Sequence, residues 1–141
     1  MQLQEFILES EEDTKDLAIK IADTIKKGSI ITFSGDLGSG KTFLCRQIIK
    51  SLCGQNTKVI SPTFNLLQIY QTKNFEIYHF DLYRIEHLEE IYELGIEEAF
   101  AGHVCLIEWP FIINNILPKD TVSIKISIIN DTTRLVTISG M

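Results

Sequence analysis

Residues 35–42 read GDLGSGKT, and no other stretch of this 141-residue chain restricts its fold as tightly. The segment satisfies G-x-x-x-x-G-K-[ST] at every specified position. Such a loop works only if successive backbone N–H groups turn inward on one anion, which requires positive φ angles and an approach too close for Cβ atoms. It also requires a strand to deliver the chain and a helix to carry it away, because the positive helix end adds to the attraction. Both flanks are present. Ser29 to Phe33 (SIITF) is a β-prone run without polar alternation, as expected of a strand covered on both faces. Beyond Lys41, the residues Leu44, Cys45, Ile48, Ile49 and Leu52 repeat at helical spacing until Gly54. The expectation is a phosphate cradle made of Gly35, Asp36, Leu37, Gly38, Ser39, Gly40, Lys41, Thr42 and Phe43 for a nucleoside triphosphate. Lys41 would reach the β- and γ-phosphates, and the Thr42 hydroxyl would be a ligand to Mg²⁺.

The remaining chain alternates strand and helix patterns. Leu3 to Leu8 reads as a strand, and Ser10 to Asp13 as the acidic opening of a helix. That helix carries Leu17, Ala18, Ile21, Ala22 and Ile25 on one face, with Gly28 as its left-handed C-terminal residue. Phe64 to Tyr70 and Phe75 to Phe80 form a hairpin about Gln71 to Asn74. His87 to Phe100 is split by Gly95 into two short helices. Val104 to Ile107 is another buried strand, Phe111 to Leu117 a short helix, and Val122 to Ile129 with Arg134 to Ile138 a closing hairpin around Asn130-Asp131. The fold class expected is α/β, a P-loop NTPase-like three-layer arrangement with a mainly parallel central sheet and added antiparallel hairpins. No linker divides the chain, so residues 1–141 read as one domain.

Hydrolysis needs carboxylates beside the cation as well as a phosphate loop. Glu108 follows the apolar run VCLI at a strand end, where a second acid of a magnesium site belongs. Asp81 ends FEIYHF and begins DLYR, and can equally cap a helix. His79 lies two residues earlier, on the same strand face as Asp81. Arg84 reads either as a phosphate or RNA contact or as a surface partner of Glu86 or Glu89. Trp109 reads as core beside Pro110 in preference to a base-stacking platform.

Composition excludes several classes. A net charge of -6 and a pI near 5.0 leave no general footprint for gripping a polyanion. Cys45, Cys53 and Cys105 lie in apolar stretches without C-x-x-C spacing and read as reduced thiols. The opening MQLQEFILESEED lacks a basic region followed by an apolar one, and nothing approaches a membrane span, so a cytoplasmic location is expected.

Taken in order, GDLGSGKT, SPTFNLL (Ser61 to Leu67), HFDLYR (His79 to Arg84), ELGIEE (Glu93 to Glu98) and IEWP (Ile107 to Pro110) resemble the TsaE family of small bacterial ATPases. The resemblance spans about three quarters of the chain. It implies ATP instead of GTP, and a role in tRNA threonylcarbamoyladenosine biosynthesis. It also implies partners TsaD and TsaB, with tRNA engaged through that complex. By the same resemblance Ser61, Pro62 and Thr63 form a switch-like loop facing the γ-phosphate, and Asp81 and Glu108 stand at the magnesium and hydrolytic site. Phe111 departs from the family, which often has an acidic residue after IEWP. Two rivals stay open: a small-molecule kinase, which would need an arginine-rich lid where this chain has only Arg46, Arg84 and Arg134, and an ATP-dependent switch without hydrolysis.

Overall fold

The computed structural model describes residues 3–141. Twelve elements follow one another: β1 (Leu3–Leu8), α1 (Glu11–Thr24), β2 (Ile30–Gly35), α2 (Lys41–Cys53), β3 (Leu67–Gln71), β4 (Glu76–Asp81), α3 (Leu88–Glu93), α4 (Ile96–Phe100), β5 (Val104–Glu108), a 3-10 helix (Phe111–Ile116), β6 (Val122–Ile128) and β7 (Arg134–Ser139). The strands form one seven-stranded sheet in the order β1-β7-β6-β2-β5-β4-β3. Strands β6, β2, β5 and β4 run parallel, while β3 pairs antiparallel with β4, and β7 with both β6 and β1. The parallel arrangement therefore holds at the centre of the sheet, and both edges are antiparallel, so the sheet is less dominated by parallel pairing than the sequence suggests.

Alternate residues of the central strands feed two cores, which is the consequence of a strand period of two. Ile31, Phe33, Ile77, Val104 and Leu106 face α1 and α2, where Leu17, Ile21, Leu44 and Ile48 close the layer. Ile30, Tyr78, Phe80, Cys105 and Ile107 face the opposite way, against Ile91, Ile96, Ala99 and Ile113. Burying both faces of the central strands explains why SIITF and VCLI lack polar alternation. Among the described residues, no helix is long and apolar enough to cross a membrane.

Two local boundaries differ from the sequence reading for a visible reason. Helix α1 opens as expected, with the Ser10 side chain accepting the Asp13 N–H at 3.1 Å. It ends at Thr24, capped by extended Ile25. Gly28 (φ +89) instead serves the following turn, in which Ser29 N–H donates to the Lys26 carbonyl at 2.9 Å. The strand expected from Phe64 begins only at Leu67, because residues 62–66 close a turn in which the Leu66 N–H donates to the Pro62 carbonyl, with Leu66 at φ 66.

Candidate functional site

Three strand ends set the site. Phe33 on β2 pairs with Glu108 on β5, and Glu108 pairs in turn with Asp81 on β4. The glycine loop leaves β2 just beyond, so loop and carboxylates meet at the carboxyl ends of parallel strands, where crevices form in open α/β sheets. The loop needs its glycines. Gly35 (φ +143) passes so close to β6 that a Cβ there would stand 2.3 Å from the Ile126 carbonyl oxygen. Gly40 (φ +107) is the N-cap of α2.

Lys41 folds back into this loop. Its ammonium donates to the Gly35 carbonyl at 2.7 Å and the Asp36 carbonyl at 2.9 Å, and reaches Ser39 Oγ at 3.4 Å. The Trp109 ring covers it, with the centroid 3.9 Å from Nζ. Only 4% of Lys41 remains exposed. Burial lowers its pKa from the ordinary lysine range, and the charges of Glu108, Asp81 and Asp36 pull it back up.

Glu108 is held at both oxygens. Thr42 Oγ1 donates to Oε1 at 2.7 Å, and His79 Nε2 lies 2.7 Å from Oε2. His79 and Glu108 are 0% and 1% exposed. Asp81 is also buried and engaged: its Oδ1 accepts the Tyr83 N–H at 3.0 Å and its Oδ2 accepts from Thr63 Oγ1 at 3.2 Å. Thr63 in turn shares a 2.8 Å hydroxyl contact with Ser61.

A cavity of about 440 Å³ joins these groups, lined by Leu37, Gly38, Gly40, Lys41, Thr42, Phe43, Thr63, Asp81 and Glu108 on the loop and carboxylate sides. Gly35, Asp36 and Ser39 stand behind it as partners of Lys41. Ser61 and buried Pro62 are not in the wall, and Ser61 touches the site through Thr63. His79 likewise acts on the cavity only through Glu108.

Trp109 lies differently from the sequence reading, and two arginines make contacts that the sequence left open. Trp109 is half-buried in the cavity wall and not in the core, in a left-handed conformation (φ 57). It packs on Tyr83 with ring centroids 4.7 Å apart. Arg84 pairs with neither Glu86 nor Glu89; its guanidinium lies over the exposed Phe64 ring at 4.9 Å and borders the cavity. Arg134, which the sequence offered only as one of few arginines, donates from Nε to the Ser39 carbonyl at 3.2 Å and so braces the glycine loop from β7. No local pattern marks that contact, since the two residues are far apart in the chain.

The donors Thr42 Oγ1, Asp81 and Glu108 are all oxygens, the set a hard cation such as Mg²⁺ prefers. The Thr42 hydroxyl spends its proton on Glu108, which leaves its lone pairs for a metal, so the residues fit the ion. Behind them Cys45, His79 and Glu108 bring potential ligand atoms within 4.8 Å of one another. Cys45 is fully buried, and burial beside two carboxylates pushes its thiol well up in pKa, so it stands there as a neutral packing group.

Fold and site together define an α/β protein that carries a glycine-rich loop from a strand into a helix, with two buried carboxylates at the neighbouring strand ends. The sequence profile of the family described as "Threonylcarbamoyl adenosine biosynthesis protein TsaE" matches residues 8–136. A TsaE protein of Rickettsia bellii is 53% identical over 134 residues, covering 95% of this chain and 93% of the relative. One from Bacillus subtilis is 37% identical over 131 residues, covering 92% and 81%. The crystal structure of Bacillus subtilis YdiB superposes with a TM-score of 0.77 at 28% identity, covering 97% of this chain and 84% of that one. This chain belongs to the TsaE family.

Proposed function

We propose that the chain binds ATP with Mg²⁺ and hydrolyses it as a component of the machinery that makes threonylcarbamoyladenosine at position 37 of tRNA. In that reading it works in the cytoplasm with TsaD and TsaB, meets tRNA through their complex, and turns over slowly without them. The carrying observation is that Lys41, Thr42, Asp81 and Glu108 converge on one cavity bounded by the glycine loop. Lys41 is poised for exchange: its ammonium gives up the carbonyls of Gly35 and Asp36 for β- and γ-phosphate oxygens. Thr42, Asp81 and Glu108 would hold the cation, which would supply charge neutralisation on the phosphates. Glu108 orients the Thr42 hydroxyl and, lining the same cavity, is placed to orient the attacking water and take its proton. The cavity wall holds one arginine, Arg84, which supports hydrolysis over the multi-arginine clamp of a kinase.

The test is ATP hydrolysis by the chain alone and then with TsaD, TsaB and tRNA. Stimulation by those partners is the expected result. Phosphate release that none of them raises would overturn the partner assignment, and a phosphorylated metabolite would install the kinase. Glu108→Ala addresses the switch reading, which gains if ATP-dependent tRNA modification survives with turnover abolished.

A further inference from the structure

His79 is fully buried on β4, yet only one of its ring nitrogens has a partner. Nε2 sits 2.7 Å from Glu108 Oε2, while Nδ1 has none. An ionised carboxylate oxygen can only accept, so Nε2 must carry the proton. The contact thus makes Nε2 the donor and Glu108 the acceptor. Glu108 has two strong neighbours in competition: the Thr42 hydroxyl and the Lys41 ammonium, on which Glu108 exerts the largest electrostatic pull of any nearby group. A carboxylate beside a poorly hydrated ammonium tends to pair with it directly. Here Lys41 instead donates to the loop carbonyls, and Glu108 is tied from behind.

We propose that His79 is a positioning residue whose Nε2–H tethers Glu108 to β4, keeping its other oxygen on Thr42 and leaving Lys41 free for phosphate. The tether acts through Glu108 and touches neither nucleotide nor cation. It rests on the ATP-hydrolysis reading for its effect on turnover, but its effects on ring tautomer and phosphate affinity do not depend on hydrolysis. His79→Leu removes the donor while keeping much of the volume. His79→Gln keeps a donating side-chain nitrogen.

Three measurements decide it. In the nucleotide-free protein, ¹H–¹⁵N spectra of the imidazoles should show a hydrogen-bonded proton on His79 Nε2; an Nε2 without a proton overturns the tether. By calorimetry, His79→Leu should weaken Mg-ATP binding about tenfold, because the released carboxylate captures Lys41, and His79→Gln should recover most of it. Adding Glu108→Gln to His79→Leu removes the competing charge and, with magnesium-free tripolyphosphate as the ligand, should return affinity to within about threefold of the parent, although turnover stays lost. A purely packing role predicts a lower Tm for His79→Leu with unchanged affinity and no recovery by the second substitution, and that pattern refutes the proposal. If the parent chain hydrolyses no ATP under any condition, the spectra and the binding cycle still decide the tether by themselves.

Discussion

Replacing Lys41 with methionine keeps most of the stem that packs in the loop and removes the ammonium. The loss in nucleotide affinity can be worked from the contacts. In the free protein the ammonium already donates to two carbonyls, at 2.7 and 2.9 Å. Binding therefore exchanges those bonds for bonds to phosphate oxygens instead of creating new ones. A hydrogen bond between two charged groups exceeds one to a neutral carbonyl by about 1–2 kcal/mol, so two exchanges are worth about 2–4 kcal/mol. That corresponds to a rise of about 30-fold to 1,000-fold in the Kd for Mg-ATP. Isothermal titration of the parent and of Lys41→Met against Mg-ATP measures it directly, with inorganic tripolyphosphate as a second ligand to separate phosphate from base contacts. Both ligands should lose affinity by the same factor. A change smaller than about threefold for either would mean that Lys41 does not leave the carbonyls of Gly35 and Asp36, and the exchange argument fails.

Gly35→Ala places a methyl 2.3 Å from the Ile126 carbonyl in a backbone region that L residues avoid; on the order of 3 kcal/mol of stability should be lost, or about 6–12 °C in Tm by calorimetry. Asp81→Asn keeps an acceptor for the Tyr83 N–H but removes the charge. It should raise the Mg²⁺ concentration needed for half-maximal turnover by at least about tenfold, with nucleotide affinity changing far less, and an unchanged magnesium requirement would take Asp81 out of the site. The pKa of Lys41 is lowered by burial. In the free protein its ammonium is therefore lost at a pH below the usual lysine value of 10.5, so Mg-ATP binding measured from pH 7 upward should weaken earlier on the alkaline side than an ordinary lysine would dictate. Lys41→Met should abolish that dependence.

Much of the architecture was legible locally. The helical spacing of Leu17 to Ile25 and Leu44 to Leu52, and the unalternating runs SIITF and VCLI, each identify an element buried in a known way, because period and burial are properties of the chain segment itself. The family followed from motifs in order. Boundaries failed where a turn borrowed residues from an expected element: Gly28 left α1 for a turn made with Ser29, and Phe64 left the strand when the Leu66 N–H bonded to the Pro62 carbonyl. Trp109 departs from its reading because hydrophobicity argues for the interior, whereas the ring lies in the cavity wall over the Lys41 ammonium on a left-handed backbone.

What the sequence determined by itself is the glycine-rich loop and the segments that deliver and continue it, since positive φ angles, helix spacing and strand character are carried by neighbouring residues. What only the tertiary structure decided is which distant groups meet there. Glu108 lies 66 residues from Thr42 and 29 from His79, and Arg134 lies 95 from Ser39. The order of strands in the sheet, with β5 between β2 and β4, brings the carboxylate into reach of both hydroxyl and imidazole. Strand order depends on how two faces of one sheet are covered at once, a condition on the whole chain that no local pattern encodes.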